Sequence, residues 1–286
     1  MSLWLVLAVN SVTLGGLLFL LSAGFSLIFG LMRIPNLTHG SFFMLGAYLA
    51  ASLIQAGLDF WSAALLSGLL VAAFGGVIER LLLRRLAGAE LAQVLVTLGL
   101  SFMVADVCLK VWTGDPIRIA TPAALSGTAS VLGMTFPAYR LAISVIAVVF
   151  AVALWALLDR TRLGAMIRAG VDDPAMARVA GIRVSRLFTL VFCLGAWLAG
   201  FAGVIGGPIL SVYPGLDQEM LPLALVVVIL GGSGSLLGSL VGSLIVGFLY
   251  NFGQAMFPEL AYVVLFLPML LVLVIRPQGL FGRQPA

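Results

Sequence analysis

Long, uninterrupted apolar runs dominate this sequence. They lie at residues 5–31, 42–56, 61–83, 91–112, 141–158, 187–207, 221–250 and 260–275. About 20 apolar residues in a helix cross the ~30 Å hydrocarbon core of a bilayer, and the runs lack the apolar and polar alternation of a membrane β-barrel. Only 9% of the residues are charged, too few to cover a soluble surface. We therefore predict an all-α, polytopic integral membrane protein, a single domain over residues 1–286 with about eight membrane segments.

The first ten residues, MSLWLVLAVN, contain no positively charged region and no small-residue cleavage site. We therefore expect a retained membrane helix here and not a signal peptide. Cys108 and Cys193 both lie inside apolar segments, which favours two small buried apolar residues over a disulfide or a metal pair.

The basic residues indicate the orientation of the chain, because cytoplasmic loops of membrane proteins collect Lys and Arg. The topology assigns these bases to loops, so the net charge of +4 is no indication of nucleic-acid binding. We expect the amino terminus outside and Arg33 inside. Three further groups of arginines are expected on the cytoplasmic side: Arg80, Arg84 and Arg85; Arg160, Arg162, Arg168, Arg178, Arg183 and Arg186; Arg276 and Arg283.

The segment 221–250 is too long for one passage, since 30 helical residues span ~45 Å. The run Gly-Gly-Ser-Gly-Ser at 231–235 interrupts it. A helix broken there either dips in and returns or makes two short passages, and both options keep Arg186 and Arg276 on one side. Backbone left unpaired in a membrane is tolerated only beside protein or water. We therefore predict that the break lines a translocation path, through Gly231, Gly232, Ser233, Gly234 and Ser235.

Small residues recur at intervals of four along several of the apolar segments. Such rows let helix backbones approach closely in lipid. Packing within one chain and a seam between two chains are both compatible with them. The rows are Gly234, Gly238 and Gly242; Ser235, Ser239, Ser243 and Gly247; Gly195, Ala199, Gly203 and Gly207; Gly68, Ala72 and Gly76.

Catalytic and metal-binding motifs are missing from the sequence, which has one histidine and no GxxxxGK[ST], HExxH or GxSxG pattern. We therefore expect no enzyme activity, no cofactor and no metal in this chain. Charged residues inside the apolar segments, which mark ion-coupled pumps, are almost missing too. Asp106 and Lys110 lie four apart, which favours a local ion pair at the membrane interface.

A polar interruption at residues 33–40 separates the first two apolar segments. Pro35 ends one helix and Asn36 is suited to cap the next. The start of that helix would present free N–H groups, a device by which transporters bind carboxylates. An ordinary interfacial turn is the alternative. The predicted path residues of this segment are Asn36, Thr38, His39 and Gly40.

The segment 161–182 is rich in arginine. We expect one short helix over 162–169 that ends at Gly170, and a second that is capped by Asp173, starts at Pro174, runs to Arg178 and closes at Gly181. The second helix is too short to be stable alone. Either this chain holds it as a basic loop that sets topology, or a cytoplasmic partner receives the apolar knob that its side chains form. The knob consists of Ala175, Met176, Val179 and Ala180, with Arg178 beside it.

Four ordered motifs make the sequence resemble the LivH-type permeases of branched-chain amino acid ABC importers. They are LSAGFSLIFGLMRIPNLTHGSFFMLGAYLA from residue 21, TRLGAMIRAGVDDPAMARVAGI from 161, LFTLVFCLGAWLAGFAGVIGGPI from 187 and LALVVVILGGSGSLLGSLVGSLIVG from 223. The resemblance implies a multi-pass permease subunit of the bacterial inner membrane. It also implies a second, related permease, a periplasmic binding protein and two cytoplasmic ATPase subunits, which would bind ATP and Mg²⁺.

The resemblance further implies that residues 159–186 form a cytoplasmic coupling loop that docks on the ATPase. Importer loops of this kind begin Glu-Ala-Ala, with a Gly four residues after the last Ala. Ala175-Met176-Ala177 and Gly181 keep that spacing without the glutamate. The expected coupling residues are Arg168, Asp172, Asp173, Pro174, Ala175, Met176, Arg178 and Gly181.

The nature of the cargo and of the driving force stays open at this level. Permeases of urea and short-amide importers are very similar to those of branched-chain amino acid importers. An ion-coupled secondary transporter would need ionisable groups in mid-membrane, and a passive channel would not need the 168–186 loop.

Overall fold

The computed structural model describes residues 2–32, 36–131 and 133–282. The predictions made for Arg33, Pro35 and Arg283 lie outside these ranges. The helices within the described residues are α1 (Ser2–Met32), α2 (Thr38–Gln55), α3 (Phe60–Leu81), α4 (Glu90–Trp112), α5 (Ala138–Arg160), α6 (Arg162–Asp172), α7 (Pro174–Val179), α8 (Val184–Leu210), α9 (Leu216–Gly231), α10 (Leu236–Met256) and α11 (Ala261–Ile275).

The predicted all-α membrane fold is confirmed. Among the described residues, seven helical stretches are long and apolar enough to cross a membrane, namely α1, α3, α4, α5, α8, α10 and α11, the last taken together with the 3₁₀ turn Pro258–Leu260 before it. The helices α2 and α9, with 18 and 16 residues, are not among these seven. A small antiparallel hairpin, β1 (Thr128–Val131) and β2 (Met134–Pro137), lies between α4 and α5.

The segment predicted at 221–250 is two helices, α9 and α10, which the Gly-Ser run separates. The helix α9 starts at Leu216, five residues before the predicted start. Gly215 allows this start because it adopts a φ of 104°, which other residues rarely adopt. Acidic residues in the first turn, Asp217 and Glu219, suit the positive end of the helix dipole.

The helix α2 forms the centre of the bundle, with α3, α4, α8 and α9 packed around it. Its large side chains Phe42, Phe43 and Tyr48 are completely buried. Gly46 lies so close to α8 that a Cβ atom there would be 2.3 Å from the carbonyl oxygen of Gly200. Since lipid provides no hydrophobic drive for helix association, such close backbone contact supplies the packing energy.

The small-residue rows pack within this chain. Gly247 of α10 lies against Ser11 and Gly15 of α1, and Gly195 of α8 lies against Gly24 of α1. Gly76 of α3 faces the Cys193 sulfur of α8. Of the two explanations for these rows, packing inside one chain is therefore confirmed.

The two halves of the chain share one packing pattern. The long helix α1 of the first half packs along α10 of the second half. In the same way, the long helix α8 of the second half packs along α3 of the first half. Each half then continues into a short helix, α2 or α9, and these two helices contact each other. The short helices begin at similar sequences, Asn36-Leu37-Thr38 and Gly215-Leu216-Asp217, each preceded by a proline. The bundle is thus built from two similarly arranged sets of helices.

One end of the bundle, which we call the basic end, gathers the arginines of the loops. Arg84, after α3, donates hydrogen bonds to the carbonyl oxygen of Ser185 and the hydroxyl of Thr189, both in α8. It also forms an ion pair of 3.1 Å with the buried Glu79. The carboxyl end of α1 reaches the same end of the bundle, because Leu27 packs against Leu187 and its neighbours.

The opposite end carries the turn between α2 and α3. Asp59 caps α3 there, accepting hydrogen bonds from the Trp61 and Ser62 amides and from the Ser62 hydroxyl. Because these bonds stabilise the carboxylate, above all the one from the Ser62 hydroxyl, the pKa of Asp59 is below its usual range.

Candidate functional site

The helix α6 fixes the arginine-rich segment to the bundle. Its residue Ile167 is buried in a small apolar cluster with Leu187 and Val191 of α8. Thr161 caps α6 by accepting a hydrogen bond from the Gly164 amide. Gly164 is required at this position, since a Cβ atom there would overlap the carbonyl oxygen of Leu158. The segment is therefore a folded projection of the basic end.

The second helix, α7, forms as predicted. The Asp173 carboxylate accepts hydrogen bonds of 2.9 and 3.0 Å from the amides of Ala175 and Met176, and Pro174 occupies the first turn. The helix ends at Val179, one residue beyond the prediction. Gly181 closes it with a φ of 85°, and the amides of Gly181 and Ile182 bond to the carbonyls of Arg178 and Ala177. This is the Schellman arrangement of a helix end.

The outer surface of α7 is apolar and exposed. Met176 is 65% exposed and Val179 is 83% exposed, whereas Ala177 on the opposite side is buried against the chain. Asp172, Ala175, Arg178 and Ala180 are exposed around them. The predicted apolar knob is therefore present. One side of α7 packs toward the chain, next to α6, and the other side is exposed.

One detail of this segment differs from the predictions. Gly170 does not end α6, which continues to Asp172. The reason is tertiary, because Gly170 is buried inside the bundle and the helix gains packing by passing through it. Arg168, a predicted coupling residue, donates hydrogen bonds to the Leu158 carbonyl and the Asp159 carboxylate. The Arg168 side chain thus provides hydrogen-bond donors for oxygen atoms at the carboxyl end of α5.

The predicted path residues at the start of α2 lie deep inside the bundle. The N-cap position of α2 is Leu37, one residue after the predicted cap Asn36, but Asn36 still accepts a 3.1 Å hydrogen bond from the Thr38 amide. Thr38 donates to the Thr97 carbonyl, and the Leu37 amide donates to the Thr97 hydroxyl. Asn36 and Thr38 are buried, so a passage beside them requires the helices to move.

His39 and Gly40 are buried at the same level. The His39 Nε2 atom lies 2.9 Å from the Leu21 carbonyl oxygen in α1. Because a carbonyl only accepts hydrogen bonds, Nε2 carries the proton. Gly40 lies against α9, where a Cβ atom would be 2.7 Å from the Asp217 carbonyl oxygen. Both residues join α2 to a neighbouring helix.

A buried carboxyl group completes this polar region, and no sequence pattern above predicted it. Asp217 of α9 is only 3% exposed, and its Oδ2 atom accepts hydrogen bonds from Ser41 at 3.1 Å and from Ser101 at 3.4 Å. The two hydroxyls lie 2.8 Å apart. We call Thr38, Ser41, Thr97, Ser101 and Asp217 the polar crossing, since they join α2, α4 and α9.

The break at 231–235 forms the turn from α9 to α10, near the basic end. Gly231 and Gly232 are buried, while Ser233 and Gly234 are exposed. Gly30 of α1 packs on Gly234, and Gly279 after α11 packs on Gly232. The Ser235 hydroxyl accepts a hydrogen bond from the Gly238 amide and caps α10. The run thus separates two helices, α9 and α10, as both alternatives require.

The predicted ion pair in α4 is wrong. Within the described ranges the ion pairs are Glu79 with Arg84 and Asp159 with Arg168, and Asp106 and Lys110 form none with each other. Both side chains are exposed on the outer surface of α4. The same ranges contain no group of three or more His, Cys, Asp or Glu side chains that could hold a metal ion.

Comparison with known proteins gives one family. Residues 7–273 match the family described as the permease component of branched-chain amino acid transport systems. No solved structure matches the chain significantly.

Individual relatives extend over nearly the same range. The permease protein BraD of the high-affinity branched-chain amino acid transport system of Pseudomonas aeruginosa is 30% identical, over 96% of this chain and 94% of BraD. The corresponding LivH of Escherichia coli K12 is 29% identical, with the same coverage.

A more distant relative is a permease for sugar import. The ribose import permease protein RbsC of Haemophilus influenzae is 30% identical over 76% of this chain and 68% of RbsC. Since the branched-chain family model covers nearly the whole chain and BraD is similar to it along almost its full length, this protein belongs to the family of permease components of branched-chain amino acid transport systems, within the ABC transporters.

Proposed function

We propose that this chain is the membrane-spanning subunit of an ABC importer that carries branched-chain, hydrophobic amino acids across the bacterial inner membrane. The observation that carries the proposal is α7, a preformed helix on the basic end with Met176 and Val179 exposed on its outer surface. Exposed apolar side chains on an otherwise polar projection mark a protein contact. The family membership supports an ABC partner for that contact.

In this proposal the driving force arrives through the coupling segment 159–186. Two cytoplasmic ATPase subunits bind ATP and Mg²⁺ and receive α7 in a groove. Movement of α7 passes to α6 through the short connection at Asp173, and from α6 to α8 through the Ile167 cluster. Because α8 packs against α1, α2 and α3, a tilt of α8 would reach the centre of the bundle.

The helices that would respond are α2 and α9, which meet at the polar crossing. Their separation would require the hydrogen bonds of Ser41 and Ser101 to Asp217 to break or to rearrange. A second, related permease completes the conduit, and a periplasmic binding protein delivers the cargo to the end opposite the basic end. In this scheme the chain needs no catalytic group of its own, since ATP hydrolysis belongs to the partner subunits.

Site-specific crosslinking tests the proposed contact. With Cys108 and Cys193 replaced by alanine, Met176→Cys should crosslink to a nucleotide-hydrolysing subunit in native membranes, because its side chain would lie in the groove. Leu91→Cys, exposed near the basic end on α4, is the matched control and should capture none. Absence of any ATPase adduct at position 176 in membranes that transport would contradict the proposal.

Uptake measurements test the cargo. Cells that express the importer should accumulate labelled leucine, isoleucine or valine, and uptake should vanish when the ATPase subunits are deleted. Uptake of urea or a short amide without uptake of these amino acids would replace the cargo and keep the machinery. Uptake that survives deletion of the ATPases would favour an ion-coupled transporter or a passive channel.

A further inference from the structure

The outer face of α4 carries two charged side chains, Asp106 and Lys110, which form no ion pair with any residue that the structure describes. One side of α4 is buried against the bundle through Gln93, Thr97, Val104 and Cys108. The opposite side, which we call the α4 outer face, is exposed and otherwise apolar around Asp106 and Lys110. Its other members near this level are Phe102, Met103, Val107 and Val111.

Asp106 lies inside the apolar helix α4, well before its carboxyl end. The helix ends at Trp112, which stacks on Tyr48 and donates a 2.6 Å hydrogen bond to Ser52, near the carboxyl end of α2. Asp106 precedes Trp112 by six residues, which is about 9 Å along a helix. A carboxylate that faces lipid at such a depth costs several kcal/mol, and such groups therefore face protein or water.

A comparison with α5 shows that this pair is specific to α4. The helix α5 also has an exposed side, formed by Val145, Val148, Val149 and Val152. That side is entirely apolar along the span, as expected for contact with lipid. The exposed side of α5 therefore suits contact with lipid, whereas the exposed side of α4, with its two charged residues, does not.

We propose that the α4 outer face lines the aqueous passage of the importer, and that Asp106 and Lys110 bind the ammonium and carboxylate groups of a zwitterionic amino acid there. The cargo in this proposal rests on the proposed function. Side chains four apart on a helix are neighbours, and the long lysine side chain brings its ammonium to a carboxylate while Asp106 accepts from the substrate ammonium. Phe102, Met103 and Val107 provide apolar surface for the aliphatic side chain.

The pair also suits a passage, where a substrate has to leave as readily as it enters. The two opposite charges sum to zero, so the empty face carries no net charge. Each charge is exposed and solvated, which keeps binding weak enough for release.

Cysteine labelling in native membranes tests the passage independently of the cargo. In a background with Cys108→Ala and Cys193→Ala, Asp106→Cys is compared with Val145→Cys, a residue 62% exposed near the start of α5. The probe is sulfonatoethyl methanethiosulfonate, a thiol reagent that does not cross membranes. Since only a thiolate in water reacts readily, the thiol at position 106 should react at least about tenfold faster than the thiol at position 145. Equal rates would overturn the proposal.

Substrate protection tests the binding pair. Leucine should slow the labelling of Phe102→Cys, which lies one turn from Asp106, whereas Lys110→Gln should abolish that protection and Lys110→Arg should retain it. Absence of protection in an importer that takes up leucine would overturn the assignment of the pair. Loss of leucine uptake in the unmodified importer would instead contradict the proposed function and would leave the labelling contrast between 106 and 145 intact.

Discussion

Single glycines determine how closely the central helices pack. Gly203 of α8 lies against Phe43 of α2, and a Cβ atom there would be only 1.9 Å from the Phe43 carbonyl oxygen. Gly203→Ala should therefore push α2 from α8 and destabilise the fold by about 1–3 kcal/mol. The measurement is thermal unfolding of the purified chain in detergent. Gly99→Ala in α4, where nothing lies within 4 Å, is the control and should be neutral or stabilising by up to about 1 kcal/mol. Equal destabilisation by both changes would contradict this packing.

The short helices show what local sequence determines in this fold. Asp173 caps α7 by two hydrogen bonds, so Asp173→Ala should weaken the helix by about 0.5–2 kcal/mol. The rest of the bundle should stay folded, because α7 lies at its surface. Hydrogen exchange of the amides at 175–180 should then accelerate, by a factor of about 5–30 for a loss of one to two kcal/mol. The adjacent Asp172, which is exposed and caps nothing in the described structure, provides the control Asp172→Ala. Similar exchange in both variants would contradict the capping role.

Some features of the helices can be predicted from the sequence, whereas others depend on contacts between residues that are far apart in it. The α7 helix, its cap at Asp173 and its end at Gly181 follow from residues that are neighbours in sequence, and the prediction is confirmed. Gly170 is a helix breaker in isolation, but buried contacts with the bundle carry α6 through it. The polar crossing was missed because Ser41, Ser101 and Asp217 are far apart in sequence and only packing brings them together. The spacing of Gln93, Thr97 and Ser101, four residues apart in an apolar helix, was the available signal.

The number and direction of membrane passages depend on the whole bundle. The positions of its arginines then indicate how the bundle is oriented in the membrane. The ends of α3 and α5 and the start of α8 meet at the basic end, while the β1–β2 hairpin follows α4 at the other end of that helix. Positive loops stay in the cytoplasm. For the inner-membrane location proposed above, we therefore expect the hairpin outside and the turn between α3 and α4 inside.

Labelling from each side of the membrane tests this orientation. In the background without Cys108 and Cys193, Ser130→Cys in the hairpin should react with an impermeant maleimide in intact spheroplasts, because it would face the periplasm. Ala89→Cys, exposed in the turn before α4, should react only in inverted vesicles. The two positions are separated by one helix, α4, so each serves as the control for the other. Reaction of both from the same side would mean that α4 does not cross the membrane, and the α4 outer face could then not line a passage through it.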